Sequence, residues 1–398
     1  MRAHSQSHTR PDLLTAPILP TLKKMTVPMI FGMITLMMFN IVDTFFISLL
    51  GTEPLAAVSF TFPVTFTVIS LAIGLGIGTS AVIAKALGSN NLEEARFDAS
   101  VSLLVAVILV LILSASGYLL IDPIFTLLGA GEQVLPLIHQ YISIWFLGSV
   151  FLITPMIGNS VLRASGDTKT PSIIMGGAGL INAVLDPMLI FGFGPIPALG
   201  IKGAAIASVI AWAVGVAIIF YILIVKKQLL SLKAGKQTVI GAIRKILKIG
   251  LPAAGANMLT PVAMAVMTAL VAHHGPEAVA AFGVGSRIES IASLVVLALS
   301  MTLPPFISQN FGASHFSRVK DAYLGTLKFV MLWQFIIYII LIIFSGVISE
   351  IFGKEQAVVD VIRLFIYTIP LSYGLQGVII LSNSSFNALH KPMNALVL

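Results

Sequence analysis

The chain has 398 residues, 57% of them hydrophobic and 10% charged, with a mean hydropathy of +1.02 and a net charge of +7. Soluble domains carry roughly a quarter charged residues, so this chain cannot clothe a water-exposed surface, and its clustered charges leave repeated stretches of about 20 apolar residues, each able to cross a bilayer as a helix. It contains no cysteine, which excludes disulfides, thiolate metal sites and iron–sulfur clusters; because helices are the only open-ended way to satisfy the backbone in lipid, an all-α polytopic membrane protein is expected.

Residues 1–24 are polar and mixed and read as a cytoplasmic N-terminal segment. The long apolar run behind them reads as a permanent span rather than a cleaved signal. Spans are predicted at about 25–50, 55–84, 97–121, 136–160, 171–192 and 201–225, forming an N-lobe over residues 25–225. A basic inter-lobe loop, 226–248, is assigned to the cytoplasm. Spans at about 249–272, 279–307, 322–347 and 359–385, with an eleventh beginning near Met393, form a C-lobe over 249–398. A cytoplasmic N-terminus places nineteen of the 23 Lys and Arg residues on the cytoplasmic side, leaving Lys202, Arg287, Lys354 and Arg363 on or near the other. Basic residues are retained in the cytoplasm, so a multi-pass protein of the cell inner (plasma) membrane is expected. The positive charge is read as topology, with no nucleic-acid partner.

Shifting the sequence by 224 residues superposes its two halves. Pro28 meets Pro252, Gly51 meets Gly275, Gly88 meets Gly312, and Arg96 meets Lys320. A six-helix unit repeated in this way keeps its orientation, giving two parallel lobes about an axis along the membrane normal, with substrate expected near their interface. The first copy runs from about 25 to 225, while the second stops at Leu398. Counterparts of the fifth and sixth helices would fall near residues 395–449 on this shift, so the second lobe is expected to be truncated.

Two carboxylates stand out in the apolar runs, where a charge at the centre of a span costs about 2.5–3.5 kcal/mol. Asp43 lies in LMMFNIVDTFFISLL and Asp186 in GLINAVLDPMLIFG, both roughly 10 Å below the outer surface at 1.5 Å per residue. Asn182 is one turn from Asp186 on the same face, and Pro187 leaves the Ala183 carbonyl without its helical donor. Two acids in one apolar chamber cannot both carry charge cheaply, since burial and mutual repulsion oppose ionisation. A proton relieves both penalties, as does a sodium ion held by Asp43, Asn182 and Asp186. Coupling then requires only that the loaded and unloaded sites favour different conformations. Asp43 has no acidic counterpart, its repeat partner being Met267, so the site is expected in the first half only. Arg287 and Glu289 are two apart, share no helical face, and read as structural. Pro28 predicts a bend in the first helix and a candidate hinge.

No phosphate-binding loop, H-E-x-x-H, nucleophile elbow or dinucleotide fingerprint is present. A secondary transporter is therefore expected rather than an ATP-driven pump or an enzyme, with no cofactor beyond the coupling ion, H+ or Na+.

The first helix with Pro28 and Asp43, the KALGSNNLEEAR loop at Lys85–Arg96, the LRASGDTKTP loop at Leu162–Pro171 and NAVLDP at Asn182–Pro187 together resemble the multidrug and toxic compound extrusion (MATE) family, most of all its DinF-type branch. The resemblance implies two six-helix lobes forming a V, alternating access, and monomeric export of cationic or amphipathic drugs against inward proton or sodium flow. It further implies that Tyr141 and Asn159 support the Asp43, Asp186 and Asn182 network, and that Ser208 supplies a hydroxyl to it. Other MATE branches carry an acid in the seventh helix; Pro252–Ala272 has none. Two alternatives stand beside this reading. A lipid-linked saccharide flippase of the same superfamily would favour several basic residues in the cavity, which are scarce here, and a non-transporting scaffold would bind no ion.

Overall fold

The computed structural model describes residues 13–233, 238–352 and 356–397. Arg2, Arg10, Lys236 and Lys354, counted above for topology, lie outside the described residues. The described chain is helical, and its elements recur at the 224-residue shift. In the first copy α1 is Ile18–Ser48, α2 Thr52–Gly88, α3 Leu92–Leu119, α4 Ile121–Leu127 and α5 Leu135–Ala164, followed by α6 (Lys169–Ile190) and α7 (Ile201–Tyr221). In the second copy α8 is Val239–Ala272, α9 Pro276–Ala292, α10 Leu294–Gly312, α11 Phe316–Ile343, α12 Ser345–Phe352, α13 Gln356–Thr368, α14 Tyr373–Ala388 and α15 Pro392–Val397. Ten spans among the described residues are long and apolar enough to cross a membrane.

The backbone carries the repeat more clearly than the side chains do. Left-handed φ angles recur in register: Gly51 (118°) with Gly275 (97°), Asn90 (59°) with Ser314 (61°), and Gly166 (85°) with His390 (60°). Each of the last two pairs closes a helix with matching bonds: Asn91 N–H to the Ala86 carbonyl (2.9 Å) and His315 N–H to Asn310 (2.8 Å) in one, Asp167 N–H to Leu162 (3.0 Å) and Lys391 N–H to Phe386 (2.9 Å) in the other. The next helix is then started by a cap: the Asn91 side chain accepts from Glu94 N–H while donating to the Glu94 carboxylate.

The copies also differ. The 37-residue α2 is unbroken, whereas its counterpart is interrupted at Ser293 between α9 and α10. The Gln334 amide donates to the Ala292 carbonyl beside that break, at 3.1 Å. Likewise α5 is continuous, while α13 and α14 are joined by a 3-10 turn over Ile369–Ser372, at Pro370. The sequence reading runs 279–307 and 359–385 as single spans and omits the short helices α4 and α12. Hydropathy averages over such local breaks.

The largest apolar core joins α2, α3 and α5 of the first copy through Leu75, Ile83, Val110, Ile142 and Ile153, and takes in Ala242, Ile246 and Ile249 of α8. A second gathers Val296, Leu303, Phe306 and Leu381 from the second copy together with Leu13, Leu22 and Met25. The start of α1 is therefore anchored on the second copy, and Arg318 ties the preceding segment there by donating to the carbonyls of Ala16 (2.7 Å) and Leu13 (3.3 Å).

The copies close against each other at one end. Gly88 lies against the Gln309 backbone and Gly312 against the Lys85 backbone, so two repeat-related glycines let the C-terminal ends of α2 and α10 cross at contact distance. Gly74 and Gly78 admit the backbone of α8 around Ile246–Ala254 in the same way. Thr26 and Thr302 hydroxyls meet at 2.8 Å between α1 and α10, and Gln309 donates to the Ala164 carbonyl at 2.7 Å. Lys245 of α8 pairs with Glu94 of α3 at 2.6 Å at this end. Towards the opposite end the walls part, α9 packing on α13 rather than on α2.

Candidate functional site

Asp43 and Asp186 are brought together by the parallel packing of α1 on α6. Thr168 donates to the Met25 carbonyl at 2.8 Å and the Ser172 hydroxyl meets Met29 Sδ at 3.6 Å, each pair 143 residues apart. The same separation divides Asp43 from Asp186. The helices approach closely because Gly32 faces Ser172 and Gly179 faces the Phe39 ring. A side chain at Gly179 would fill the space of that ring and push α1 away from Asp186.

The two carboxyl groups lie within hydrogen-bonding reach of each other. Asp186 is fully buried and Asp43 half-buried. Asn182 Nδ2 donates to Asp186 Oδ1 at 3.1 Å and to Ser208 Oγ at 3.3 Å, so the amide links α6 to α7 across the site. Asp43 Oδ1 and Asp186 Oδ2 are buried and accept no hydrogen bond from the described residues. Tyr141, on α5 and buried, is close enough to both acids to feel their charge. Two carboxyl groups in contact away from water need a proton or a cation between them. The donor set of two carboxylates, an amide oxygen within reach by rotation, and a hydroxyl consists of hard oxygens, which suit a proton or a small monovalent ion. No group of three His, Cys, Asp or Glu able to hold a metal occurs among the described residues.

Asn159 does not join this cluster. It lies eighteen residues beyond Tyr141 on the same continuous helix, roughly 27 Å along the axis, where it is buried near the closed end with Oδ1 unpartnered among the described residues. Pro28 lies inside α1, which runs through it unbroken. Glu289 accepts a 2.7 Å hydrogen bond from Gln376 Nε2 of α14, holding α9 to its own lobe. Gln376 carries no charge, so nothing in the sequence marks that bond.

Outside the spans, Asp167 sits in the loop between α5 and α6. Burial would raise its pKa, but bonds from Thr170 N–H and Oγ1 and the Lys227 ammonium at 3.0 Å hold it below the ordinary carboxylate range. That loop is thereby clamped to the segment following α7.

Two repeat-related lobes of membrane-crossing helices, closed at one end and holding a buried acid pair in the first, define a multi-pass membrane transporter rather than an enzyme. The sequence model of the MatE family matches residues 28–188 and 252–398, and the chain belongs to that family. It is 44% identical over 393 residues to the FAD transporter of Shewanella oneidensis, spanning 98% of this chain and 86% of that protein. It is 29% identical over 336 residues to the probable multidrug resistance protein YoeA of Bacillus subtilis, spanning 82% of this chain and 72% of that one. Among solved structures, the Vibrio cholerae MATE transporter VcmN in its bent form superposes with a TM-score of 0.91 at 35% identity, covering 95% of this chain and 85% of that chain. The all-helical, V-shaped architecture expected from the sequence is thus the architecture of this chain.

Proposed function

We propose that this chain is an ion-coupled secondary exporter whose cargo is FAD or a closely related flavin nucleotide, and that Asp43, Asp186 and Asn182, with Tyr141 and Ser208 around them, bind the coupling ion. The observation supporting the cargo is the 44% identity to an FAD transporter across 98% of this chain, against 29% or less for relatives named for multidrug resistance. The contact between Asp43 and Asp186 supports the coupling site. With the acids unloaded, mutual repulsion across the α1–α6 seam opposes their approach, and a proton or Na+ removes it. Ion uptake thereby biases α1 against α6 and, through the anchor of α1 on the second core, the two lobes against each other. The basic residues gathered at the closed end support a cytoplasmic position for it and for the N-terminus.

The second reading, antiport of cationic or amphipathic drugs, is favoured by the multidrug relatives. Proteoliposomes holding the full chain separate the two. FAD counterflow under an imposed pH gradient, compared with an imposed sodium gradient, identifies the ion. Ethidium in place of FAD tests the drug reading. Asp43→Asn is expected to lower gradient-driven flux at least tenfold with reconstitution unchanged; undiminished flux would remove the coupling assignment.

A further inference from the structure

Arg287 is the residue the site above leaves unused. It stands eleven residues from the start of the α9–α10 rod, about 17 Å along its axis, in a protein whose hydrocarbon surroundings span roughly 30 Å. It is exposed, and among the described residues it takes part in no ion pair. Its neighbour Glu289 points to a different face and is engaged by Gln376. A guanidinium at this depth on a lipid-facing surface is costly, and such residues face a water-filled cavity instead.

The packing of α9 fixes which way that is. Ala281, Val284 and Ile288 join Ile362 and Ile366 in the core of the second lobe. On a 3.6-residue helix, Ser286, Arg287 and Ser290 then fall on the side turned away from that lobe. The Ser286 and Ser290 hydroxyls donate only to carbonyls of their own helix, at 3.0 and 2.8 Å. Both can rotate to serve another acceptor.

The repeat shows what stands at the same depth on the opposite wall. Subtracting 224 carries Ser286, Arg287 and Ser290 onto Phe62, Pro63 and Phe66 of α2. Phe62 is 58% exposed, and its ring lies 5.5 Å from that of Phe66. The buried face of α2, Ala57 and Thr61, corresponds to Ala281 and Gly285 of α9, so each rod turns its back on its own lobe in the same way. The parting of the lobes thus opens a cleft with an aromatic wall on α2 and a cationic, hydroxyl-bearing wall on α9.

We infer that this cleft is the cargo site and that it takes a flat aromatic ring carrying an anionic phosphate tail, with the ring on Phe62 and Phe66 and the phosphate on Arg287, Ser286 and Ser290. Aromatic faces accept a ring system by stacking, and a guanidinium with flanking hydroxyls matches phosphate oxygens by charge-assisted hydrogen bonds. A purely cationic cargo gains from the first wall and is repelled by the second. The inference rests on the proposed flavin-nucleotide reading and goes further, by naming the residues that tell phosphate-bearing from phosphate-free cargo.

The test compares FMN with riboflavin, which differ only by a phosphate, as ligands of the purified full chain, read by flavin fluorescence. The native chain is expected to bind FMN at least tenfold more tightly than riboflavin. Arg287→Ala is expected to erase that preference while leaving riboflavin affinity within about twofold, and Arg287→Lys to retain most of it. Phe62→Ala is expected to weaken both ligands together. An FMN preference that survives in Arg287→Ala, or no preference in the native chain, overturns the inference. FAD flux in proteoliposomes is measured separately, so its absence alongside an Arg287-dependent FMN preference would defeat the flavin-export reading and leave the cleft assignment standing.

Discussion

Adding one methyl group at Gly88 is expected to unlatch the closed end of the transporter. A Cβ there would lie 2.7 Å from both the Cα and the carbonyl carbon of Gln309, and closer still to its oxygen. These are backbone atoms of α10, which cannot rotate aside, and ordinary carbon contacts sit at about 3.5–4.0 Å. The α2–α10 crossing must therefore open by about 1 Å. Overpacking of this kind costs roughly 1–3 kcal/mol, and because the strain exists only while the end is closed, the closed–open equilibrium should move about 5–150-fold. The absence of cysteine in the chain makes the readout direct. Thr26→Cys places a single thiol where Thr26 is 5% exposed and in contact with Thr302. Its labelling by a membrane-permeant maleimide should accelerate by the same factor in Gly88→Ala, and Gly312→Ala, across the pseudo-axis, should do likewise. Gly177→Ala, where a Cβ meets nothing within 4 Å, is the control. Unchanged labelling in both clasp variants, with native unfolding temperatures, would refute the view that glycine contact holds this end shut.

Two further outcomes follow from the geometry. Asn182→Ala removes the donor to Asp186 Oδ1 and the link to Ser208; leaving a buried acceptor unpaired costs about 1–3 kcal/mol, so the ion dependence of flux should shift by roughly tenfold with expression intact. His390, in the left-handed turn between α14 and α15, is kept neutral: burial, then Lys85, push its pKa down to about 4 despite a bond to the Ala81 carbonyl. A lowered folded-state pKa on a base means its contribution is complete above the unfolded value near 6.5 and is lost as pH falls towards 4. About 1–2 kcal/mol should therefore disappear between pH 7.5 and pH 5, read as a drop in unfolding temperature in detergent. His390→Gly, which restores the residue found at the repeat-related Gly166, should flatten that dependence; an equally steep profile in the variant would show that the histidine is not its source.

The helical class, the repeat and the two carboxylates that α1 and α6 bring together are legible in the sequence, because each depends on a signal that survives averaging: long apolar runs, a fixed register of glycines and loop charges, and carboxylates where charge is expensive. The sequence carries less of what depends on two helices meeting. The placement of Asn159 with the acids came from resemblance, and the length of α5 alone keeps it far from Tyr141. Hydropathy makes the helices too short, since Lys23, Lys24, Lys85 and residues 239–248 stay helical beyond the apolar core, where hydropathy falls but the backbone has no reason to stop. The breaks at Ser293 and Ile369–Ser372 left no trace in a hydropathy average, although Pro370 marks one of them. Arg287 was visible as a charge, yet its meaning needed the buried face of α9 to be known.

The same repeat explains why the two sides of the closed end are not equivalent. Shifting by 224 carries the Thr26–Thr302 contact onto Gly250 and Gly78. One copy of this crossing is a hydroxyl pair at 2.8 Å. The other is glycine against glycine, with a Cβ on Gly78 meeting Gly250 N at 3.0 Å and the Ile246 carbonyl oxygen at 2.6 Å. A side-chain hydrogen bond can be exchanged for one to water at a net cost near 1 kcal/mol, whereas close backbone packing is lost outright when it opens. Helix α8 is therefore bound to α2 more firmly than α1 is to α10. The helix carrying Pro28 and Asp43 is the one whose hold on the opposite lobe is the easier to release, and it also bears the acid that meets Asp186. On the proposed coupling, ion occupancy would act on the weaker of two related joints, where a small change in charge at one end of α1 has least to overcome at the other.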